Sequence, residues 1–298
     1  IAPVDAEPLK AKEYWDLAAR LDVGELLEGS ADEMLSSLGD PSTGDRVRRL
    51  IGAAGAMALA REELESSGVR MLTHHDDAYP ARLTERLGTA APPVIYVAGP
   101  VEWLPAPLVG VVGSRSVDDA GAAVARGAAD VASRSGRGIV SGGAKGVDIL
   151  SMDAAYAAGI PAVGITAEGL GRAARRRELR GAVGEDRLCL LSPFAPGAGF
   201  SVGNAMGRNK LIYALADVTL VVASDLDSGG TWAGATEALR RGFGAVAVWT
   251  GDGAGPGNPV LIERGASPVD DLDAWNPDDI DAPPPPPPAS TQLGLGLD

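Results

Sequence analysis

The sequence predicts an α/β protein: a doubly wound, mostly parallel sheet, preceded by a small helical module and followed by a proline-rich tail. Three observations carry this. Apolar runs without polar alternation recur through the middle of the chain, the pattern of strands buried on both faces. Helical stretches of ten or more residues separate them, as right-handed crossovers require. Several of the runs also break into small-residue turns that lead straight into helices, the connection at which such sheets hold ligands.

Residues 1–67 read as the helical module. Tyr14–Leu21 and Val47–Met57 place apolar residues three and four apart, and Asp40-Pro41-Ser-Thr-Gly44 is expected to break the chain between them. Residues 68–266 read as the sheet domain. Strands are expected at Val94–Ala98, Leu108–Val112, Gly138–Ser141, Ala162–Ile165, Leu188–Leu191, Thr219–Ala223 and Ala245–Trp249. Helices are expected at Ala120–Arg134, Val147–Ala158, Ala205–Ala216 and Trp232–Arg241. Residues 267–298 read as an acidic, disordered tail. From Pro268 onward it holds seven aspartates and no basic residue, and Pro283–Pro288 are six prolines in a row. Such a run favours polyproline II and cannot pack into a core. The closing peptide Gln292–Leu297 reads either as a frayed end or as a docking peptide for a sliding clamp.

Composition narrows the classes of function. The chain has 298 residues, 45% of them hydrophobic, and no apolar run long enough to span a bilayer. One cysteine (Cys189, inside an apolar run) and two adjacent histidines (His74, His75) cannot assemble a usual structural zinc site. No metal or other cofactor is expected, and the natural compartment is a reducing cytoplasm. The net charge of −14 argues against strong non-specific binding to nucleic acid. Its distribution weakens that objection, because Gly171–Arg180 is locally basic and the acidity is concentrated in the tail.

Four segments carry the chemistry. Leu108–Arg115 ends in Gly113, Ser114 and Arg115, and Ser141–Asp148 holds Ser141, Gly142, Gly143, Lys145 and Gly146. Each is a strand feeding a glycine-rich turn and a helix N-terminus, which aims backbone N–H groups and the positive end of a dipole at one spot. Gly229, Gly230 and Thr231 make a third such turn. Arg208, Asn209 and Lys210 are expected to open a helix, where cations oppose the dipole unless an anion joins them. The Ser141–Gly146 turn is no triphosphatase loop, since Lys145 precedes Gly146 and no hydroxyl follows. The dinucleotide fingerprint fails too: the first turn lacks G-x-G-x-x-G, and the next strand ends in Ser141 where an acidic residue would hold a ribose. Aromatic residues are only 4% of the chain, so no extensive base-stacking platform is expected, although Trp232 beside the third turn could stack one base.

In order and spacing these segments resemble the DNA-processing protein A (DprA) family. The resemblance runs from about Gly68 to Ala266. It rests on Gly68–Thr73, Asp77-Ala-Tyr-Pro80, Pro92–Tyr96, Val111–Arg115, Val140–Asp148, Gly207–Ile212, Ser228–Thr231, Gly257-Asn-Pro259 and Gly265-Ala266. It implies an extended Rossmann-like domain that holds single-stranded DNA in a basic pocket, forms a homodimer and hands the strand to a RecA-type recombinase. Carried onto this sequence, the resemblance implies that Gly113, Ser114 and Arg115 hold phosphate, as do Ser141, Gly142, Gly143 and Lys145, with Arg208 and Lys210 extending the same pocket. The family usually has arginine where Lys145 and Lys210 stand; lysine keeps the charge and loses the bidentate fork. Between Ile165 and Leu188 the family's Tyr-Pro-containing turn is replaced by Ala167–Gly171 and the arginine run. After residue 282 the proline run stands where many members carry a winged helix. The alternative reading is a nucleotide-binding enzyme or sensor resembling the phosphoribohydrolases, with Gly229, Gly230, Thr231 and a catalytic Glu237. The longer spacing to Glu237 counts against it.

Overall fold

The computed structural model describes residues 6–21, 26, 31–173, 181 and 183–280. Among these residues nine strands form one sheet in the order β1-β2-β6-β5-β4-β3-β7-β8-β9. They are β1 Arg70–Thr73, β2 Val94–Ala98, β3 Leu108–Val112, β4 Gly138–Ser141, β5 Ala162–Ile165, β6 Cys189–Ser192, β7 Val218–Val221, β8 Ala245–Trp249 and β9 Ser267–Val269. From β6 to β9 every neighbouring pair is parallel, while β1 and β2 add an antiparallel margin beyond β6.

Alternation along β3 shows why the sheet is covered on both sides. Leu108 and Val112 join one apolar cluster, with Val140, Leu211, Leu215 and Ala235; Val109 and Val111 join the other, with Ala125, Ala128, Val131 and Ala155. All of these are buried. Helices α6 (Asp119–Arg134) and α7 (Val147–Ala158) therefore cover one face, and α8 (Val202–Leu215) and α9 (Gly229–Arg241) cover the other. The chain steps from β3 through β4 and β5 to β6, then returns along α8 to β7 on the opposite flank of β3. Connections leave β3 and β7 in opposite directions, which opens a crevice at their carboxyl ends.

Before the sheet lie α1 (Ala11–Ala18), α2 (Ala31–Ser36), α3 (Pro41–Gly52) and α4 (Ala54–Ser66), and α5 (Ala81–Leu87) follows β1. Leu21, Leu35, Leu38 and Val47 give the helical module a small core of its own. It is tied to the sheet domain by Trp15, whose Nε1 donates to the Ala91 carbonyl at 2.8 Å, and by a 2.6 Å contact between Tyr14 Oη and His74 Nε2.

Three expectations need correction. Asp40–Gly44 is no break: Asp40 caps α3 by accepting from the Ser42 amide at 3.0 Å, and Pro41 fills the first helical position. Strands β1 and β9 were not expected, since Arg70–Thr73 is polar at both ends and Ser267–Val269 has a proline at its centre, so neither is a continuous apolar run. The sheet domain consequently runs past Ala266. Pro268 sits on an edge strand, where a missing N–H is tolerated. Trp275 is buried against the core, and Arg137 pairs with Asp278 at 2.6 Å. Residues 267–280 belong to the fold, while the proline run and the Gln292–Leu297 peptide lie outside the described residues.

Candidate nucleic-acid interface

The glycine-rich turns after β3 and β4 are pressed against each other at the carboxyl edge. The Val147 amide donates to the Ser114 carbonyl at 3.3 Å. A Cβ on Gly146 would stand 2.4 Å from that same carbonyl oxygen, and one on Gly113 would stand 2.6 Å from Val147 Cγ2. Gly146 also adopts φ +87°, a conformation costly for any side-chain-bearing residue. Contact this close requires glycine at both positions. Arg115 and Lys145 are exposed on the two turns. Among the described residues, neither side chain is engaged by a hydrogen bond or an ion pair.

Two adjoining cavities open along this edge. One of about 680 Å³ lies in the β3/β7 crevice and is lined by Gly113, Ser114, Asp148, Asn209 and Gly229–Thr231. One of about 930 Å³ lies over the ends of β4 and β5 and is lined by Gly142, Gly143, Lys145, Thr166 and Arg187. Arg115, Ala144, Phe200 and Arg208 line both. The rim also carries acids (Asp153, Glu168, Glu185 and Asp225), and Glu185 pairs with Arg187, so the cationic field is local to Arg115 and Lys145.

Arg208 has another task than the one its sequence position suggests. Helix α8 starts at Val202, capped by Ser201 accepting from the Asn204 amide at 3.0 Å, so Arg208 stands in the second turn and no longer opposes a helix terminus. Arg208 is 5% exposed, and its guanidinium donates to the carbonyls of Gly142 and Ile165, at the ends of β4 and β5, and to Asn209 Oδ1 at 2.9 Å. A Cβ on Gly142 would collide with it. Arg208 is a strut that holds the turn in place. Asn209 does the same for the third turn, its Nδ2 donating to the Gly230 carbonyl at 3.1 Å.

Three predicted site residues fall outside the cavities. Ser141 is fully buried, its Oγ donating to the Val111 carbonyl between adjacent strands. Gly146 packs under the β3 turn. Lys210 points away, its Nζ donating to the Ala90 carbonyl at 2.7 Å in a half-buried position. Trp232 cannot stack a base: it is 7% exposed, with the Arg264 guanidinium 4.7 Å above its ring. Glu237 lines neither cavity and lies 3.5 Å from Arg241. The arginine run at 175–177 lies outside the described residues. Phe200, which lines both cavities, was missed because it stands outside the glycine-rich turns and the cation cluster that the sequence marks.

Asp148, in the first turn of α7, is buried beside Arg208, and its Oδ2 accepts from the Ala144 amide at 3.3 Å. Burial raises its carboxyl to about 6, although the Arg208 guanidinium and the amides of Ala144 and Gly142 pull the other way. A folded-state value above the ordinary one means stability that is full in acid and lost as pH rises through about 6. Asp148→Asn removes this dependence while keeping an acceptor for Ala144. Relative to the variant, the native chain should lose on the order of 2 kcal/mol between pH 4 and pH 7. Thermal melts of both proteins across that range check this; a constant difference in Tm contradicts it.

Among the described residues there is no cluster of His, Cys, Asp or Glu able to hold a metal ion, and no helix long and apolar enough to cross a membrane. Fold and site together define a Rossmann-like protein with convergent glycine-rich turns at its topological switch point. The family model for DNA recombination-mediator protein A matches residues 70–276, and the chain belongs to that family. Among solved structures it is similar to DNA processing protein A from Streptococcus pneumoniae, with a TM-score of 0.66 and 24% identity over 88% of this chain and 95% of that one. It is also similar to DNA processing protein A from Helicobacter pylori, whose structure was described for its single-stranded DNA binding mode. There the TM-score is 0.56, at 23% identity over 69% of this chain and 92% of that one. These likenesses establish the shared fold. No curated protein matches the chain.

Proposed function

We propose that the chain binds single-stranded DNA along the carboxyl edge of its sheet and delivers it to a RecA-type recombinase during DNA uptake or recombination. The observation that carries the DNA reading is the packing of the β3 turn on the β4 turn, which sets Arg115 and Lys145 over one shared cavity, neither side chain held by a hydrogen bond or ion pair among the described residues. Membership of the recombination-mediator family and the strand binding described for the H. pylori protein support the same reading.

Arg115, Lys145 and the amides of Gly113, Ser114, Gly142, Gly143 and Gly229–Thr231 contact phosphates, while Arg208 and Asn209 position those turns. Contacts of this kind position a strand without reading its sequence, so affinity is sequence-neutral and falls steeply with salt. The recombinase, a second copy of the chain in a homodimer and a clamp contact through Gln292–Leu297 are the partners this role calls for, in the cytoplasm, where DNA is processed. A competition gel shift tests the binding role. A labelled single strand should be displaced by unlabelled single strand at concentrations at least tenfold lower than by duplex, and not by millimolar mononucleotide. Displacement by mononucleotide as effective as by the strand contradicts it and favours the nucleotide-sensor alternative.

A further inference from the structure

Phosphate contacts alone leave one property unexplained, because a duplex offers the same phosphates as a single strand. The exposed apolar side chains speak to it. Among the described residues the large exposed hydrophobics are Leu59, Ile149, Phe200, Val202, Met206 and Leu226. Four of these six line the two cavities: Ile149 the larger, Val202 and Met206 the crevice, Phe200 both. Exposed apolar residues are ordinary when scattered singly and informative when they gather at one place. Phe200, Val202 and Met206 are 60%, 70% and 50% exposed. Val202 and Met206, four apart on α8, share one helix face, and Phe200 stands just before its Ser201 cap.

We propose that Phe200, flanked by Val202 and Met206, is a nucleobase-stacking subsite that selects single strands. The inference rests on the DNA-binding reading given above. Phe200 lines the same two cavities as Arg115, so a strand whose phosphates lie on the glycine turns carries its bases to the Phe200 rim. A paired base keeps its faces inside the duplex stack. An unpaired base turns one face onto the phenyl ring, and the polarizable Met206 thioether extends that surface. The occupant is a base of the bound strand, since the apolar rim is continuous with the phosphate turns.

The test uses the full chain and two probes of equal length, an oligothymidylate and an abasic sugar–phosphate strand, in fluorescence anisotropy. Phe200→Ala should weaken thymidylate binding about tenfold and leave the abasic strand and the salt dependence unchanged. Phe200→Trp should restore thymidylate binding. Phe200 is largely exposed, so both variants should fold, and unchanged thermal melts verify it. Unaltered thymidylate affinity in Phe200→Ala overturns the subsite alone, as does an equal loss on both strands. A parent chain that binds neither probe overturns the DNA reading and the subsite with it. Loss of dimer mass in Phe200→Ala overturns the subsite in favour of an interface between copies.

Discussion

Replacing Arg115 and Lys145 together by alanine is expected to cut single-strand affinity about 25-fold at 0.1 M salt, at about 0.7 decade for each cation removed from a phosphate. Folding should be unaffected. Both side chains are exposed and neither is engaged by a hydrogen bond or ion pair among the described residues, so truncating them breaks no internal bond. The backbone amides of the turns remain, so residual binding is expected. Each single variant should give about half of the logarithmic loss, because the two cations sit on different turns and act on successive phosphates. An anisotropy titration at fixed salt measures this, with a thermal melt as the control for folding. Equal affinity of double variant and parent would remove both cations from the interface.

Arg208→Met is expected to act through the fold, with a loss of about 3–5 kcal/mol of stability. The methionine fills the space but supplies no donors. The carbonyls of Gly142 and Ile165 then lose their partner at the ends of β4 and β5, and buried Asp148 loses the positive charge that offsets its desolvation. Arg208→Lys should recover only part of this, since one ammonium cannot reproduce the planar fork that reaches two carbonyls and Asn209. Urea denaturation separates the cases, and a midpoint within error of the parent contradicts the strut. Strand binding should fall in both variants because the Gly142–Gly143 turn loosens, and stabilising osmolyte should recover part of it. Osmolyte should bring no such recovery in the Arg115/Lys145 double variant.

Much of this was legible in the chain, for a physical reason that also marks where legibility ended. Leu108–Val112, Gly138–Ser141, Ala162–Ile165 and Ala245–Trp249 were placed to the residue because parallel strands inside a sheet are apolar on both faces and end where the apolar run meets a glycine or a polar residue. The turn cations Arg115 and Lys145 were legible because local glycine spacing fixes what surrounds them. Arg208 and Lys210 sit two apart in sequence, yet one enters the sheet edge and the other bonds the Ala90 carbonyl across the domain. No local pattern separates them, since a long side chain's partner is set by tertiary packing. The same holds for Ser141, taken for a phosphate ligand and found bonded across to the neighbouring strand, and for Trp232, whose burial depends on Arg264 and α9 packing. Short edge strands such as Ser267–Val269 escape periodicity altogether.

The central claim, that convergent turns engage a polyanion through paired cations, is tested most directly by the salt dependence of strand binding. The logarithm of affinity for an oligothymidylate should fall linearly with the logarithm of salt concentration. The slope for the Arg115→Ala, Lys145→Ala protein should be shallower than the parent's by about 1.4, twice the increment of about 0.7 that each released counterion contributes on a single strand. Parallel lines for the two proteins would contradict the account.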